Sequence, residues 1–140
     1  MPRYVRSVTL EELQAGAGTE FLFHYTDAIR ADAIIEERCF VSGPRAARGF
    51  GIYATHIAPV GEETIDEVIV NCFRSDATPP EVNHAIAVRR SSGGLRFERT
   101  DDPYQWVLPT GRLELVHIEG IYVAAVAFSG GHWKIIDGAD

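Results

Sequence analysis

Apolar and polar positions along the chain change period at identifiable points. Phe21-Leu-Phe-His-Tyr25 is a compact aromatic run that predicts a buried strand. Thr26 and Asp27 then supply helix N-cap chemistry, and Ile29, Ala33 and either Ile34 or Ile35 recur on one helical face up to about Arg38. Phe40-Val-Ser42 reads as extended, Gly43 to Phe50 as a Gly/Pro/Arg loop, and Gly51-Ile-Tyr-Ala-Thr55 as a short strand. A glycine placed just before a strand lets another backbone or a ligand come close. Glu62 to Arg74 carries Ile65, Val68, Ile69, Cys72 and Phe73 on one stripe, with acids on its first turn. That pattern predicts an amphipathic helix of favourable dipole, stopped by Ala77-Thr-Pro-Pro80. His84–Arg89, Leu95–Arg99, Gln105–Leu108, Leu113–Ile118 and Ile121–Phe128 read as strands, with Gly93-Gly94 a hairpin turn between the first two. Residues 1–18 form a lead-in, an opening strand and a short helix ending at Gly16 and Gly18. Helices early and strands late predict an α+β fold with a split antiparallel sheet and flanking helices.

Composition narrows the class. The 140 residues contain no internal repeat and no low-complexity linker, and suit one domain over 1–140. A hydrophobic fraction of 46% is enough for a core without staples. No apolar run reaches the ~18 residues of a membrane span, and charges scattered through the first sixteen residues argue against a secretory signal. A cytoplasmic site of action is the expectation. Cys39 and Cys72 read as small buried hydrophobes, and the five histidines are spaced too widely for a short helical metal pair, so no metal is expected. A net charge of −7 makes nucleic acid a poor partner. Local basic clusters persist nonetheless at Arg45–Arg48 and at Arg89, Arg90, Arg96 and Arg99. A cationic loop of that kind suits a pyrophosphate.

The chemistry-bearing positions form an ordered set. Leu22-Phe-His-Tyr-Thr26 ends a strand and opens a helix, Phe40-Val-Ser42 follows, Gly49-Phe-Gly-Ile-Tyr-Ala-Thr55 makes the next strand, and Tyr104-Gln-Trp-Val-Leu-Pro109 begins a later one. Singly, each has a bland reading: a strand histidine is usually structural, and Tyr53 between Ile52 and Ala54 suits plain core. Together they resemble the His–Tyr–Glu branch of the ADP-ribosyltransferase superfamily, which holds the diphtheria-type toxins and the poly(ADP-ribose) polymerases. Within it the chain is most similar to the small transferase-like domains of bacterial polymorphic toxins and effectors.

The resemblance covers about Phe21 to Val123 and implies NAD as substrate, bound between two halves of the sheet. His24 would hold ribose hydroxyls on the adenosine side, backbone near Tyr25 the carboxamide, and the Tyr53 ring the flat face of nicotinamide. Thr26, Ser42, Arg48 and Gly51 complete the implied binding set. Where the branch places a glutamate, this chain has Gln105, an acceptor without charge. Asp102 or Glu98 takes that place if the strand register is shifted, although Glu98-Arg-Thr-Asp-Asp102 also suits a solvated loop. If Gln105 lies beside the ribose, a glutamate there should raise or redirect activity. The implied activity is mono-ADP-ribosyl transfer to an unknown protein acceptor by a toxin or effector, with a cognate immunity protein as a further partner. The alternatives are NAD hydrolysis and a non-catalytic module that binds NAD, ADP-ribose or a protein. Trp106 is assigned to core on the face opposite Gln105, and His56, His84, His117 and His132 to structure or surface.

Overall fold

A computed structural model describes residues 8–41, 51–92, 95–115 and 121–138. Helix α1 (Leu10–Ala15) is started by a reciprocal cap, Thr9 Oγ1 accepting from the Glu12 amide at 3.2 Å and the Glu12 carboxylate accepting from the Thr9 amide. Strand β1 (Phe21–Thr26) leads into α2 (Ala28–Glu37), where Asp27 is the N-cap and accepts from the Arg30 amide at 2.8 Å. Arg38 closes α2 in the left-handed conformation, and β2 (Cys39–Val41) follows. After β3 (Ile52–Ala54), α3 runs over Glu62–Asn71. Its N-terminus has no side-chain cap on Gly61 itself. Instead the Thr64 hydroxyl accepts from the amides of Val60 and Gly61 and donates to the Ala58 carbonyl. The helix stops short of the expected Arg74 because Arg74 and Ser75 take positive φ.

The remainder is strand: β4 (His84–Arg89), β5 (Ser91–Ser92), β6 (Leu95–Arg96), β7 (Glu98–Arg99), β8 (Trp106–Leu108), β9 (Arg112–Glu114), β10 (Tyr122–Ser129) and β11 (His132–Gly138). The expected single strand Leu95–Arg99 is therefore two. Phe97 turns into the core between them, so β6 pairs back on β5 while β7 pairs on β8. Strand β11 adds to the strands expected from the sequence. It forms a hairpin with β10 through Gly130 and Gly131, both at positive φ, as a two-residue turn requires.

The class is α+β with antiparallel pairing in every sheet. One sheet has the order β1-β4-β10-β11 and another β3-β8-β7. They meet at one rung, where Phe23 and Thr55 exchange amide and carbonyl at 2.8 and 2.9 Å. Apolar side chains cover both faces of the large sheet. Leu22, Ile86, Val88 and Tyr122 join Ala31, Phe40, Ile52, Trp106 and Leu108 in a first core; Phe21, Phe23, Ala85, Ala87 and Val126 join Leu13, Ile65, Val68 and Trp133 in a second. Burial on both faces explains why β1 and β4 read as continuous apolar runs.

Gly51 is where β3 and β8 come closest. A Cβ there would stand 2.5 Å from Val107 Cγ2 and 3.1 Å from the Leu108 carbonyl oxygen, at φ +140°. Gly51→Ala should therefore cost about 1–3 kcal/mol by overpacking and backbone strain, measured as a lower midpoint in urea.

Candidate functional site

Pairing parity decides what faces the junction of the two sheets. In an antiparallel strand, successive residues turn their backbone groups to opposite neighbours. Phe23 bonds to Thr55, so odd residues of β1 look toward β3; even ones look toward β4, as the Arg90 amide bonded to the Glu20 carbonyl confirms. Continuing the rung Phe23–Thr55 brings Tyr25 opposite Tyr53. No rung forms between them. Instead His24 Nδ1 lies 2.7 Å from the Tyr53 carbonyl oxygen. An imidazole thus takes the place of the next backbone donor. The backbone pairing of the two strands ends there, and by parity the Tyr25 amide and carbonyl face the side of β1 on which β3 lies.

The His24 ring is half-buried and stands edge-on to Phe40, 4.9 Å between centroids at 77°. A carbonyl only accepts, so Nδ1 carries the proton and Nε2 is left as an acceptor. Burial pushes the imidazole below its ordinary value, and the bond to Tyr53 opposes this only partly. His24 is neutral at neutral pH. Its stability contribution follows from that direction. Between the lowered folded value and the ordinary ~6.5, the unfolded chain binds the extra proton, so stability falls as pH drops through that window. Melting temperature should decline below about pH 6.5 less steeply in His24→Asn than in the parent, the difference isolating this histidine from the others.

Tyr53 is half-buried, and its ring leaves β3 on the face opposite Ile52 and Ala54, which pack in the first core. His24 and Tyr53 are adjacent as expected, but joined through a carbonyl and not ring to ring. Their rings stand on opposite sides of the junction. Tyr25 contributes backbone alone. Its ring is buried edge-on to Trp133, and its hydroxyl donates to the Ile57 carbonyl at 2.7 Å, with burial holding that phenol well above its usual range. Thr26 is buried at the end of β1 opposite His84. Gly51 allows the close approach of β8 described above. Ser42 and the Arg45–Arg48 loop, Arg48 included, lie outside the described residues, as does His117.

The third position falls elsewhere. Register carries His24 across Ala54 to Trp106, all on the first-core face, whereas Gln105 lies in line with Thr55 on the other. Gln105 is 6% exposed, and its Nε2 donates to the Cys72 carbonyl at the end of α3, at 3.1 Å. Its amide holds a helix. Asp102 accepts from the Tyr104 amide at 2.9 Å and faces Arg74 at 3.8 Å, so it shapes the turn before β8. Glu98 is exposed on β7 opposite Val107, which in turn pairs Tyr53. Of the three, Glu98 alone is exposed on the Tyr53 face. Trp106 is buried in the first core, away from Gln105, as its alternation implied. His56 stacks on Tyr104, His84 bonds Asn83 at 2.7 Å, and His132 is exposed.

No family model, curated protein or solved structure matches this chain. The site is read from its own geometry. Among the described residues, no helix is long and apolar enough to cross a membrane, and no three His, Cys, Asp or Glu side chains gather as a metal would require.

Proposed function

We propose that the gap between β1 and β3 binds NAD and promotes loss of nicotinamide from its ribose. The observation that carries this reading is the replaced rung. His24 Nδ1 occupies the Tyr53 carbonyl, and the Tyr25 amide and carbonyl face the side of β1 on which β3 lies. A carboxamide is both donor and acceptor, so it pairs with one outward amide and one outward carbonyl as a further strand residue would. Neutral His24 offers Nε2 to a ribose hydroxyl, which donates to it. The Tyr53 ring supplies an apolar wall for a flat aromatic group.

Departure of nicotinamide builds positive charge on the ribose, and oriented acceptors around that carbon lower the barrier. A half-buried neutral imidazole suits this task better than a cation would. Attack by an acceptor side chain gives mono-ADP-ribosyl transfer, and attack by water gives hydrolysis; the bond broken first is the same. The residue likeness to toxin and effector transferases favours transfer to a protein in the cytosol of a target cell. The commitment of Gln105 to α3 favours hydrolysis as the second reading, since it removes the family's acidic position from the gap.

The test is nicotinamide release from NAD, followed by mass spectrometry. Release by the parent protein and its loss in both His24→Ala and Tyr53→Ala is the expected result. NAD bound without any turnover would replace the enzyme with a binding module, and absence of binding would overturn the reading altogether.

A further inference from the structure

Of the eight described arginines, Arg30, Arg74, Arg89 and Arg112 each face a carboxylate, and Arg38, Arg90, Arg96 and Arg99 do not. Arg90 and Arg99 have no carboxylate within ion-pair distance among the described residues, although the chain carries a net charge of −7. Both instead gather on one indole. Their guanidinium carbons stand 4.6 and 4.7 Å from the centre of the Trp106 ring. The ring is 4% exposed, and its Nε1–H is buried with no hydrogen-bond partner. Two cations therefore share one indole whose own N–H lacks an acceptor.

The fold holds this arrangement in place. The Arg90 amide bonds the Glu20 carbonyl at 2.9 Å, its own carbonyl receives the Phe97 amide at 3.0 Å, and its guanidinium donates to the Gly18 carbonyl at 3.1 Å. Arg99 is fixed opposite Trp106 by the pairing of β7 on β8. Two cations on one ring repel each other, and the indole faces offset part of that cost. A buried N–H left unmade adds to it.

We propose that Arg90, Arg99 and Trp106 form a binding site for a phosphate-class oxyanion. Guanidinium groups match phosphate oxygens in pairs, and an indole N–H donates to a third. Two positive charges call for a dianion or a diphosphate, because a single carboxylate leaves one uncompensated. Arg99 is exposed, so an anion arriving from solvent meets it first, and drawing that side chain off the ring uncovers the indole face beneath it. The site stands without the NAD reading. It also lies on the His24 face, two strands away through Ala54, roughly 10 Å at ordinary strand spacing. A phosphorylated ligand of nucleotide size is long enough to reach both places around the packed Ala54, and a free phosphate fills one.

The tryptophan N–H resonances test this, since Trp133 is bonded to the Gly61 carbonyl at 3.0 Å and serves as an internal reference. Inorganic pyrophosphate, added at constant ionic strength, should move the Trp106 Nε1–H signal saturably and leave that of Trp133 in place. Arg99→Gln and Arg90→Gln should each weaken the response at least tenfold with the rest of the spectrum dispersed as in the parent. No saturable shift, or a shift that survives both replacements, overturns the site. Two further titrations separate the sources. If ADP-ribose moves Trp106 and the His24 ring protons together, the occupant is the diphosphate of a dinucleotide. If pyrophosphate binds equally well under saturating NAD, or NAD does not bind at all, the occupant is a separate phosphate ligand.

Discussion

His24→Asn should reduce nicotinamide release by roughly 10²-fold or more while leaving the protein folded, a magnitude ordinary for removing one positioned group at a developing charge. The asparagine amide nitrogen sits about where Nδ1 sits, so it can still donate to the Tyr53 carbonyl, 2.7 Å away in the parent. What it removes is Nε2, the acceptor proposed for the ribose. His24→Ala should do more. It deletes the substitute rung as well, leaving the Tyr53 carbonyl without that donor, at a further cost of about 1–2 kcal/mol in stability. His24→Gln is the complementary variant, keeping an amide near Nε2 and withdrawing it from Nδ1. Steady-state release and thermal melting on the three variants separate support of the gap from chemistry within it. Full activity in His24→Asn would remove Nε2 from any role.

Gln105→Glu should destabilise the protein by about 3 kcal/mol at neutral pH, because a carboxylate would be buried against the Cys72 carbonyl that now receives a proton donor. Both oxygens facing each other would then be acceptors. Burial and that opposing carbonyl would raise the new carboxyl above its ordinary ~4.3. The folded state would bind the proton more readily than the unfolded one, so the missing stability should return as pH falls and be lost again as pH rises through the raised value. Urea midpoints at pH 5 and pH 8 measure the effect. From sequence alone the same change is expected to raise activity, on the premise that Gln105 lies beside the ribose. A gain in NAD cleavage without loss of stability would restore that premise.

The contrast between these two residues shows which features sequence can carry. Leu22-Phe-His-Tyr-Thr26 is legible because it is local. An aromatic run must be buried and Asp27 must start a helix, which places the histidine within the strand that precedes it. Gln105 stands just before β8, and its partner is a carbonyl 33 residues away at a helix terminus. Nothing near Gln105 in the chain announces that bond. The split of Leu95–Arg99 at Phe97 depends on two different partner strands pulling on either side of one buried ring. The hairpin of β11 did leave a signal. Gly130-Gly131 stands at its turn, and Trp133 and Ile135 alternate with Lys134 and Ile136. Arg90, Arg99 and Trp106 are visible singly as a basic cluster and a core residue, and only β7 pairing on β8 brings them onto one ring.

By itself the amino-acid order determined the α+β class, the helices at Ala28 and Glu62, and His24 and Tyr53 as neighbours in the same small region. The class and the helices follow from hydrophobic period and capping, which act over a few residues, whereas the pairing of His24 with Tyr53 is what the family resemblance implies. Tertiary structure decided where the pairing of β1 and β3 ends, that the imidazole meets a carbonyl and not a phenol, and that Gln105 faces away from His24. The reason is the two-residue repeat of a strand: facing is set by register, and register is set by partners distant in the chain.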